Sequence, residues 1–318
     1  MFKKMKAVLR KVLPKSIIKI LITERERLHF FLLGRALRRI NKSMDYYSPL
    51  PVLSKLEKNM SRWNKPSGLV GIAYDMPQMK NLFLDLISKY STEYAKIPSY
   101  YENINKGYGP GYNALDAMTL YFMIRENKPR RYIEVGSGLS TYYCSLAAQR
   151  IREEGNQLKI ICVEPYPYDA LYRIPQVEVI KKEVQDIDIS FFEQLESGDV
   201  LFIDSSHIIK IDGDVPFLFL EVIPRLKKGV IVHIHDVPFP YNIPFPPEIW
   251  VLGRMPYFWN EAMLLQAFIC YNDTYKIIFS APLLRFYEET FLSENVPDYE
   301  PISKNPNSFS SLWIERIK

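Results

Sequence analysis

Two short stretches hold three of the four histidines of this 318-residue chain, each beside an aspartate. The first is "FIDSSH", with Asp204 and His207, and the second is "HIHD", with His233, His235 and Asp236. Each aspartate follows an apolar, β-branched run that indicates a buried strand. Asp and His supply groups that titrate near neutrality or bind a cation, so these residues predict general-base or metal chemistry.

A second set of candidates lies in the glycine-containing stretch "EVGSGLST", residues 134–141. Gly136 and Gly138 follow a strand-like run, and glycine has no Cβ to hold the backbone away from a ligand. The next predicted strand ends in Glu164, an acid placed to accept both hydroxyls of a ribose. Thr141 stands where a dinucleotide fingerprint has its third glycine. The turn therefore predicts a nucleotide-like cofactor and disfavours a dinucleotide.

An alternation of strands and helices must position these residues. Apolar runs predict seven strands, "RRYIEVG", "LKIICVE", "VEVI", "DVLFID", "VIVHIHD", "YKIIFS" and "SSLWIERIK". We expect an α/β fold: a Rossmann-like, seven-stranded, mostly parallel sheet with helices on both faces and an antiparallel last strand. Parallel strands present their carboxyl ends at one edge, so the Asp–His stretches should lie beside the glycine turn.

Four stretches together resemble the class I S-adenosylmethionine-dependent methyltransferases, in a bacterial branch similar to the methyltransferase-24 and catechol O-methyltransferase-like group. They are "YIEVGSGLST", "VQDIDISFFEQLESGDVLFIDSSH", "IPRLKKGVIVHIHDVPFP" and "FWNEAMLLQAF", within roughly residues 108–318. The resemblance implies S-adenosylmethionine as cofactor. It assigns Glu134, Gly136 and Gly138 to the methionine and ribose end, Glu164 to the ribose hydroxyls, and Gln185 or Asp186 to the adenine. Ser137 and Asp204 complete the predicted cofactor-binding set.

The same resemblance implies O-methylation, with His207 as general base. His207 lies three residues after Asp204, where catechol-type enzymes carry a lysine base after a metal-binding aspartate. Asp204 and Asp236 would orient this base or hold a metal. By position, the metal ligands would be Asp204, His235 and Asp236, binding Mg²⁺ or Mn²⁺, and a nitrogen ligand shifts preference toward Mn²⁺, Fe²⁺ or Zn²⁺. His233 is interpreted as a hydrogen-bonded core residue.

The net charge of +5 is unevenly distributed along the chain. Residues 1–43 carry 13 Lys and Arg against 2 Glu, and the remainder carries 28 basic and 34 acidic residues. The mildly acidic body argues against nucleic acid as partner. In the basic arm, Ile17, Leu21, Leu28 and Leu32 suit one face of a helix, which predicts either contact with an anionic membrane or packing on the body or a second subunit. Charges interrupt its apolar runs too often for a transmembrane span.

Three widely spaced cysteines fit a reducing compartment, so we expect a cytoplasmic location, with the arm against the inner membrane face. Three regions are predicted: a basic amphipathic helical arm at 1–43, a helical and loop cap region at 44–107, and the methyltransferase domain at 108–318. The acceptor would be a small molecule or glycan-linked hydroxyl compound, and a homo-oligomer is an open expectation. Alternatives are a catalytically inactive methyltransferase-fold interaction module at the membrane surface, and a metal hydrolase or nucleotide-dependent oxidoreductase.

Overall fold

The computed structural model describes residues 28, 31–36, 48–109, 111–297, 299–305 and 310–318. The chain divides into two compact units. The first holds the described residues up to Lys65 together with Pro246–Phe258, and the second holds Pro66–Phe245 and Trp259–Lys318. The predicted regions 1–43, 44–107 and 108–318 stay a prediction.

The first unit is built from short helical segments: 31–36, Leu53–Lys58, Met60–Trp63 and Pro247–Trp250. The guanidinium of Arg254 lies 5.2 Å from the ring centre of Phe31. Most of the basic arm lies outside the described residues, so its predicted membrane contact stays a prediction. Among the helices that the structure does describe, none has the length and apolar character needed to cross a membrane.

A seven-stranded sheet forms the centre of the second unit. Its strands are β1 Arg131–Val135, β2 Lys159–Val163, β3 Val177–Ile180, β4 Val200–Ile203, β5 Ile231–Val237, β6 Tyr275–Ser280 and β7 Ser310–Arg316. Their order across the sheet is β3-β2-β1-β4-β5-β7-β6, and β7 runs antiparallel to both neighbours, β5 and β6. The predicted mostly parallel sheet with an antiparallel last strand is confirmed.

Helices accompany the strands of this sheet. The main ones are α1 Met76–Tyr94, α2 Ala114–Asn127, α3 Leu139–Glu153, α4 Asp214–Phe217, α5 Glu261–Ile269, α6 Ala281–Tyr287 and α7 Glu289–Asn295. Shorter helical turns lie at Tyr100–Asn103, Ile104–Lys106, Leu171–Arg173, Val184–Asp186 and Ser190–Glu193, and α4 continues through Leu218–Arg225 as π and 3₁₀ turns.

Helix α2 lies inside the core rather than on its surface. Every residue from Asp116 to Arg125 is buried, as expected for a helix that is apolar on most of its circumference. Tyr94 of α1 packs edge-on against Tyr121 and Phe122 of α2, with ring centres 5.3 and 5.5 Å apart. Helix α1 therefore shares one core with the sheet unit.

A row of paired residues crosses the middle of the sheet. Glu134 of β1 pairs with Cys162 of β2 and Phe202 of β4, Phe202 pairs with His233 of β5, and His233 pairs with Trp313 of β7. The His233 ring stacks on Phe202 at 4.0 Å and meets Trp313 edge-on at 4.5 Å. This aromatic layer supports the strand ends that carry the candidate site.

Candidate active site

The glycine turn joins the ends of three strands. The Gly136 N–H donates to the carbonyl of Val163 at the end of β2 (3.1 Å), and the Asp204 N–H donates to Val135 at the end of β1 (2.8 Å). Gly136 adopts φ +80°, and a Cβ there would lie 1.7 Å from the carbonyl oxygen of Asp204. Only glycine fits this position, because both the backbone angle and the space exclude a side chain.

Glu134 lies beneath this turn and is fully buried. Its carboxyl group accepts hydrogen bonds from the hydroxyls of Ser140 and Thr141 (2.6 Å for Thr141) at the start of α3, and the Cys162 thiol lies 3.5 Å away. Burial raises the pKa of Glu134 to about 8, although these hydrogen bonds lower it. Glu134 thus anchors α3 to β1, and its direct contact with a cofactor stays a prediction.

Glu164 lies at the surface of the turn. One carboxylate oxygen accepts from the Ser137 N–H (3.2 Å) and the other from the Tyr166 N–H (2.7 Å). Its side chain is partly exposed, and its predicted role in holding a ribose stays a prediction. Gly138 immediately precedes α3, and a Cβ there would lie 2.8 Å from the carbonyl oxygen of Tyr108. The loop containing Tyr108 therefore borders the same turn.

The predicted adenine residues lie in the short turn after β3. The amide of Gln185 donates to Glu183 (2.7 Å) and to the carbonyl of Asp212 (3.2 Å), on the loop after β4. Its buried Oε1 has no hydrogen-bond donor among the described residues. A free amide acceptor at this edge fits an amino group of an adenine. Asp186 is exposed on the same turn.

The ends of β4 and β5 bring Asp204, His207 and Asp236 together. His207 Nε2 lies 3.3 Å from Asp204 Oδ1 and 3.5 Å from Asp236 Oδ2. One ligand atom from each of the three residues lies within 4.8 Å of the other two, so this group could hold a metal ion. The geometry places His207, rather than the predicted His235, in the group. His235 Nε2 lies 3.6 Å from Asp236 Oδ1, and the predicted ligand set stays a prediction.

Two residues of this cluster have a strained backbone. His207 adopts φ +60° and Asp236 φ +54°, in the left-handed region that costs an L-residue about 1–2 kcal/mol. The pairing of β5 with β7 shifts register between Ile234 and Val237, around Asp236. Such strain is kept where surrounding contacts hold it, and it concentrates at functional sites.

Glu261, at the first position of α5, is a site residue that the sequence reasoning missed. Its Oε2 lies 2.7 Å from His207 Nδ1, and the side chain is only 4% exposed. The signal was present, since an acid opens an otherwise apolar helix in "WNEAMLLQAF". What the sequence did not show is that this helix begins beside residue 207.

The charges of the cluster act on one another. Burial alone would lower the pKa of His207, but Asp204, Glu261 and Asp236 together raise this pKa well above the ordinary value. Burial raises the pKa of Asp236 to about 6 against the opposing effect of both nearby histidines. Burial alone would raise the pKa of Asp204, but His235 and His207 hold it below the ordinary value. The surrounding carboxylates therefore favour the protonated form of His207.

The two histidines within β5 lie deeper. His233 is fully buried, with Nε2 3.4 Å from His235 Nδ1, and burial lowers its pKa well below the ordinary value. Such a neutral, stacked ring fits the interpretation of His233 as a core residue. His235 is also buried and lies 4.7 Å from the ring of Tyr112.

Comparison with known proteins gives two sequence matches. Residues 133–237, which include the glycine turn and both Asp–His stretches, match a family model described as a methyltransferase domain. An uncharacterised protein of Archaeoglobus fulgidus is 31% identical over 171 residues, which are 48% of this chain and 72% of that protein.

Solved structures give weaker matches. The Podospora anserina methyltransferase PaMTH1, bound to SAH, is 13% identical and has a TM-score of 0.38, covering 86% of this chain and 100% of that one. The O-methyltransferase from Bacillus cereus in complex with SAH is 12% identical and has a TM-score of 0.41, covering 84% of this chain and 97% of that one. The similarity to methyltransferases in sequence rests on the family model over residues 133–237.

Proposed function

We propose that the chain is a class I S-adenosylmethionine-dependent methyltransferase, in keeping with its match to a methyltransferase-domain family model over residues 133–237, and that it methylates a hydroxyl oxygen with His207 as general base. One observation carries this proposal. The backbone contact between Gly136 and Asp204 sets the predicted cofactor turn directly beside a cluster of one histidine and two aspartates. A methyl donor and a proton acceptor are the two things that O-methylation requires in one place.

The cofactor site is assigned to the residues around the turn. Glu164 would hold the ribose hydroxyls, Gly136 and Gly138 would let the methionine end approach the backbone, and Gln185 would face the adenine. S-adenosylmethionine supplies, when bound, a methyl group on a positively charged sulfur. The carboxylates of Glu164, Asp204 and Asp236 lie at the carboxyl ends of β2, β4 and β5, so the edge of the sheet presents negative charge where this cation would bind.

His207 would accept the proton of the acceptor hydroxyl at Nε2. In its neutral form the ring has a lone pair on one nitrogen, and Nε2 is the nitrogen that lies between Asp204 and Asp236. After proton transfer the imidazolium lies 3.3 and 3.5 Å from two carboxylate oxygens. The same carboxylates that raise the pKa of His207 therefore stabilise its protonated form.

A divalent cation, Mg²⁺ or Mn²⁺, is a further proposed ligand of this cluster. Two carboxylates and an imidazole nitrogen are a chemically suitable donor set, and the nitrogen favours Mn²⁺ over Mg²⁺. A nitrogen that binds a cation cannot also accept a proton, so the base and ligand roles of His207 Nε2 exclude each other. Mn²⁺ titration followed by electron paramagnetic resonance separates them. Loss of Mn²⁺ binding in both Asp236→Asn and His207→Gln would identify His207 as a metal ligand. If His207→Gln still binds Mn²⁺, His207 is not a ligand and its role as a base is supported.

The acceptor is proposed to be a hydroxyl on a sugar, a glycan-linked intermediate or a secondary metabolite. This class follows from the family resemblance and from no single residue. The competing function is a catalytically inactive interaction module at the membrane surface. The two differ in one measurable property, because an inactive module has no need to bind the cofactor.

The decisive experiment is calorimetric titration of the purified protein with S-adenosylhomocysteine, with and without EDTA. Micromolar binding is expected, reduced at least tenfold in Glu164→Ala because the ribose would lose its acceptor. Glu178→Ala is the matched control, since Glu178 is an exposed acid at the edge of the same sheet, paired with Lys159 at 3.1 Å. Wild-type protein that binds no S-adenosylhomocysteine under either condition would sink the proposed function.

A second variant tests the base. His207→Gln should bind S-adenosylhomocysteine about as tightly as wild type, because His207 lies in the acid cluster and not in the glycine turn. It should lose methyl transfer to hydroxyl acceptors. Equal loss of binding and transfer would show instead that His207 supports the cofactor site.

A further inference from the structure

A short segment before and at the start of α5 encloses His207. The carbonyl of His207 accepts hydrogen bonds from the backbone N–H groups of Asn260 (3.0 Å) and Glu261 (3.2 Å). The side chain of Asn260 accepts from the N–H of Ile209 (2.6 Å), and the ring of Trp259 lies 4.5 Å from the imidazole. Three consecutive residues thus hold the left-handed backbone of His207 and one side of its ring.

The two ring nitrogens of His207 face different acceptors. Nδ1 lies 2.7 Å from a carboxylate oxygen of Glu261, whereas Nε2 lies 3.3 and 3.5 Å from Asp204 and Asp236. A neutral imidazole has a single N–H, and the nitrogen with the shorter, charged contact keeps it. In this structure that nitrogen is Nδ1.

We propose that Glu261 is a positioning residue for the methyl-transfer reaction, which keeps the imidazole proton of His207 on Nδ1 so that the Nε2 lone pair faces Asp204 and Asp236. This inference rests on the proposed function. Either role of His207 needs that lone pair, since a base accepts a proton through it and a ligand binds a cation through it. Glu261 would act through His207, because its side chain is only 4% exposed and its Oε2 lies 2.7 Å from Nδ1.

Glu261 at Nδ1 competes with Asp204 and Asp236 at Nε2 for the single N–H of the neutral ring, and this competition predicts the effect of changing Glu261. Glu261→Gln keeps the shape of the side chain and removes its charge. The remaining charged acceptors are then Asp204 and Asp236, which both face Nε2. Because a carboxylate is a stronger acceptor than an amide oxygen, the N–H is expected to move to Nε2. His207 would then still be present but would have no lone pair on the side of Asp204 and Asp236.

The test is the tautomer of His207, read from nitrogen-15 chemical shifts of the ring in two-bond proton–nitrogen spectra at alkaline pH, where the imidazole is neutral. His207→Gln identifies the signal among the four histidines. Wild type should show the Nδ1–H tautomer and Glu261→Gln mainly the Nε2–H tautomer. An Nε2–H tautomer in wild type, or an unchanged tautomer in Glu261→Gln, would overturn the inference.

Asn260→Ala is the matched control. It removes the hydrogen bond to Ile209 from the same segment and leaves the Glu261 carboxylate in place. If the segment had only a structural role, both substitutions would change the His207 tautomer alike. A positioning role of Glu261 predicts a change of tautomer only in Glu261→Gln. The measurement uses no cofactor, so failure here is distinct from failure of S-adenosylhomocysteine to bind.

Discussion

Gly136 and Asp204 approach each other so closely that a methyl group on Gly136 would lie 1.7 Å from the Asp204 carbonyl oxygen. The two residues end neighbouring strands, and each belongs to a different part of the proposed reaction. Gly136 lies in the turn proposed to bind the cofactor, and Asp204 lies in the histidine cluster. Their contact holds the glycine turn and the end of β4 together through the backbone.

Gly136→Ala tests this contact. Alanine must adopt the left-handed φ and also displace Asp204, so S-adenosylhomocysteine affinity should fall at least tenfold and the melting temperature should fall by several degrees. Gly155→Ala is the control, because Gly155 has φ +85° but a Cβ added there would meet no atom within 4 Å. Gly155→Ala should lower the free energy of unfolding only through backbone strain, by about 1–2 kcal/mol. Equal effects of both variants on cofactor affinity would contradict a role for the contact.

Glu134→Gln should change the pH dependence of stability. The pKa of Glu134 is about 8 in the folded protein against an ordinary value of 4.5. Below pH 4.5 both states hold the proton; between 4.5 and 8 only the folded state does. The free energy of unfolding therefore falls as pH rises through this window, by at most about 1.4 kcal/mol per pH unit. Above the window this contribution no longer changes with pH.

Glutamine does not titrate, and its amide can pair with the hydroxyls of Ser140 and Thr141. The variant should therefore gain on wild type as pH rises from 5 to 8, measured by urea unfolding at several pH values. Glu178→Gln controls for the loss of one exposed negative charge. Parallel pH curves for wild type and Glu134→Gln would show that Glu134 does not take up a proton on folding.

Asp199→Ala should destabilise the fold without changing the candidate active site. Asp199 is 2% exposed at the start of β4 and accepts hydrogen bonds from the N–H groups of Arg130 (3.0 Å), Arg131 (2.8 Å) and Glu196 (3.0 Å). Removing the carboxylate leaves these donors unsatisfied, at an expected cost of about 2–3 kcal/mol. Glu196→Ala, which removes an exposed ion pair with Lys227, should cost under about 1 kcal/mol. Calorimetric melting measures both, and S-adenosylhomocysteine affinity should be unchanged in each.

Methyl transfer should speed up as pH rises. The pKa of His207 lies well above the ordinary 6.5 because of its carboxylate neighbours, so the neutral base becomes abundant only at alkaline pH. Initial rates would be followed by transfer of a radiolabelled methyl group to the first hydroxyl acceptor that screening identifies. A rate that falls through the same pH range would exclude neutral His207 as the base.

The sequence alone was enough to locate the strands and the chemical groups. Apolar, β-branched runs such as "DVLFID" are typical of buried strands, and the acid, glycine and histidine residues follow them directly. Local sequence therefore predicts which residues stand at the strand ends, including Glu164, Asp204 and Asp236.

Tertiary structure decided which of these groups meet. His207 and Glu261 are 54 residues apart, and their contact depends on how α5 packs after a long connection. Grouping His207 with Asp204 and Asp236 depends on two left-handed residues and a register shift, none of which follows from residue type. Glu134 is buried beneath its turn because Ser140 and Thr141 fold back over it. Strand positions reflect local patterns of burial, whereas distances between side chains come from packing between distant segments.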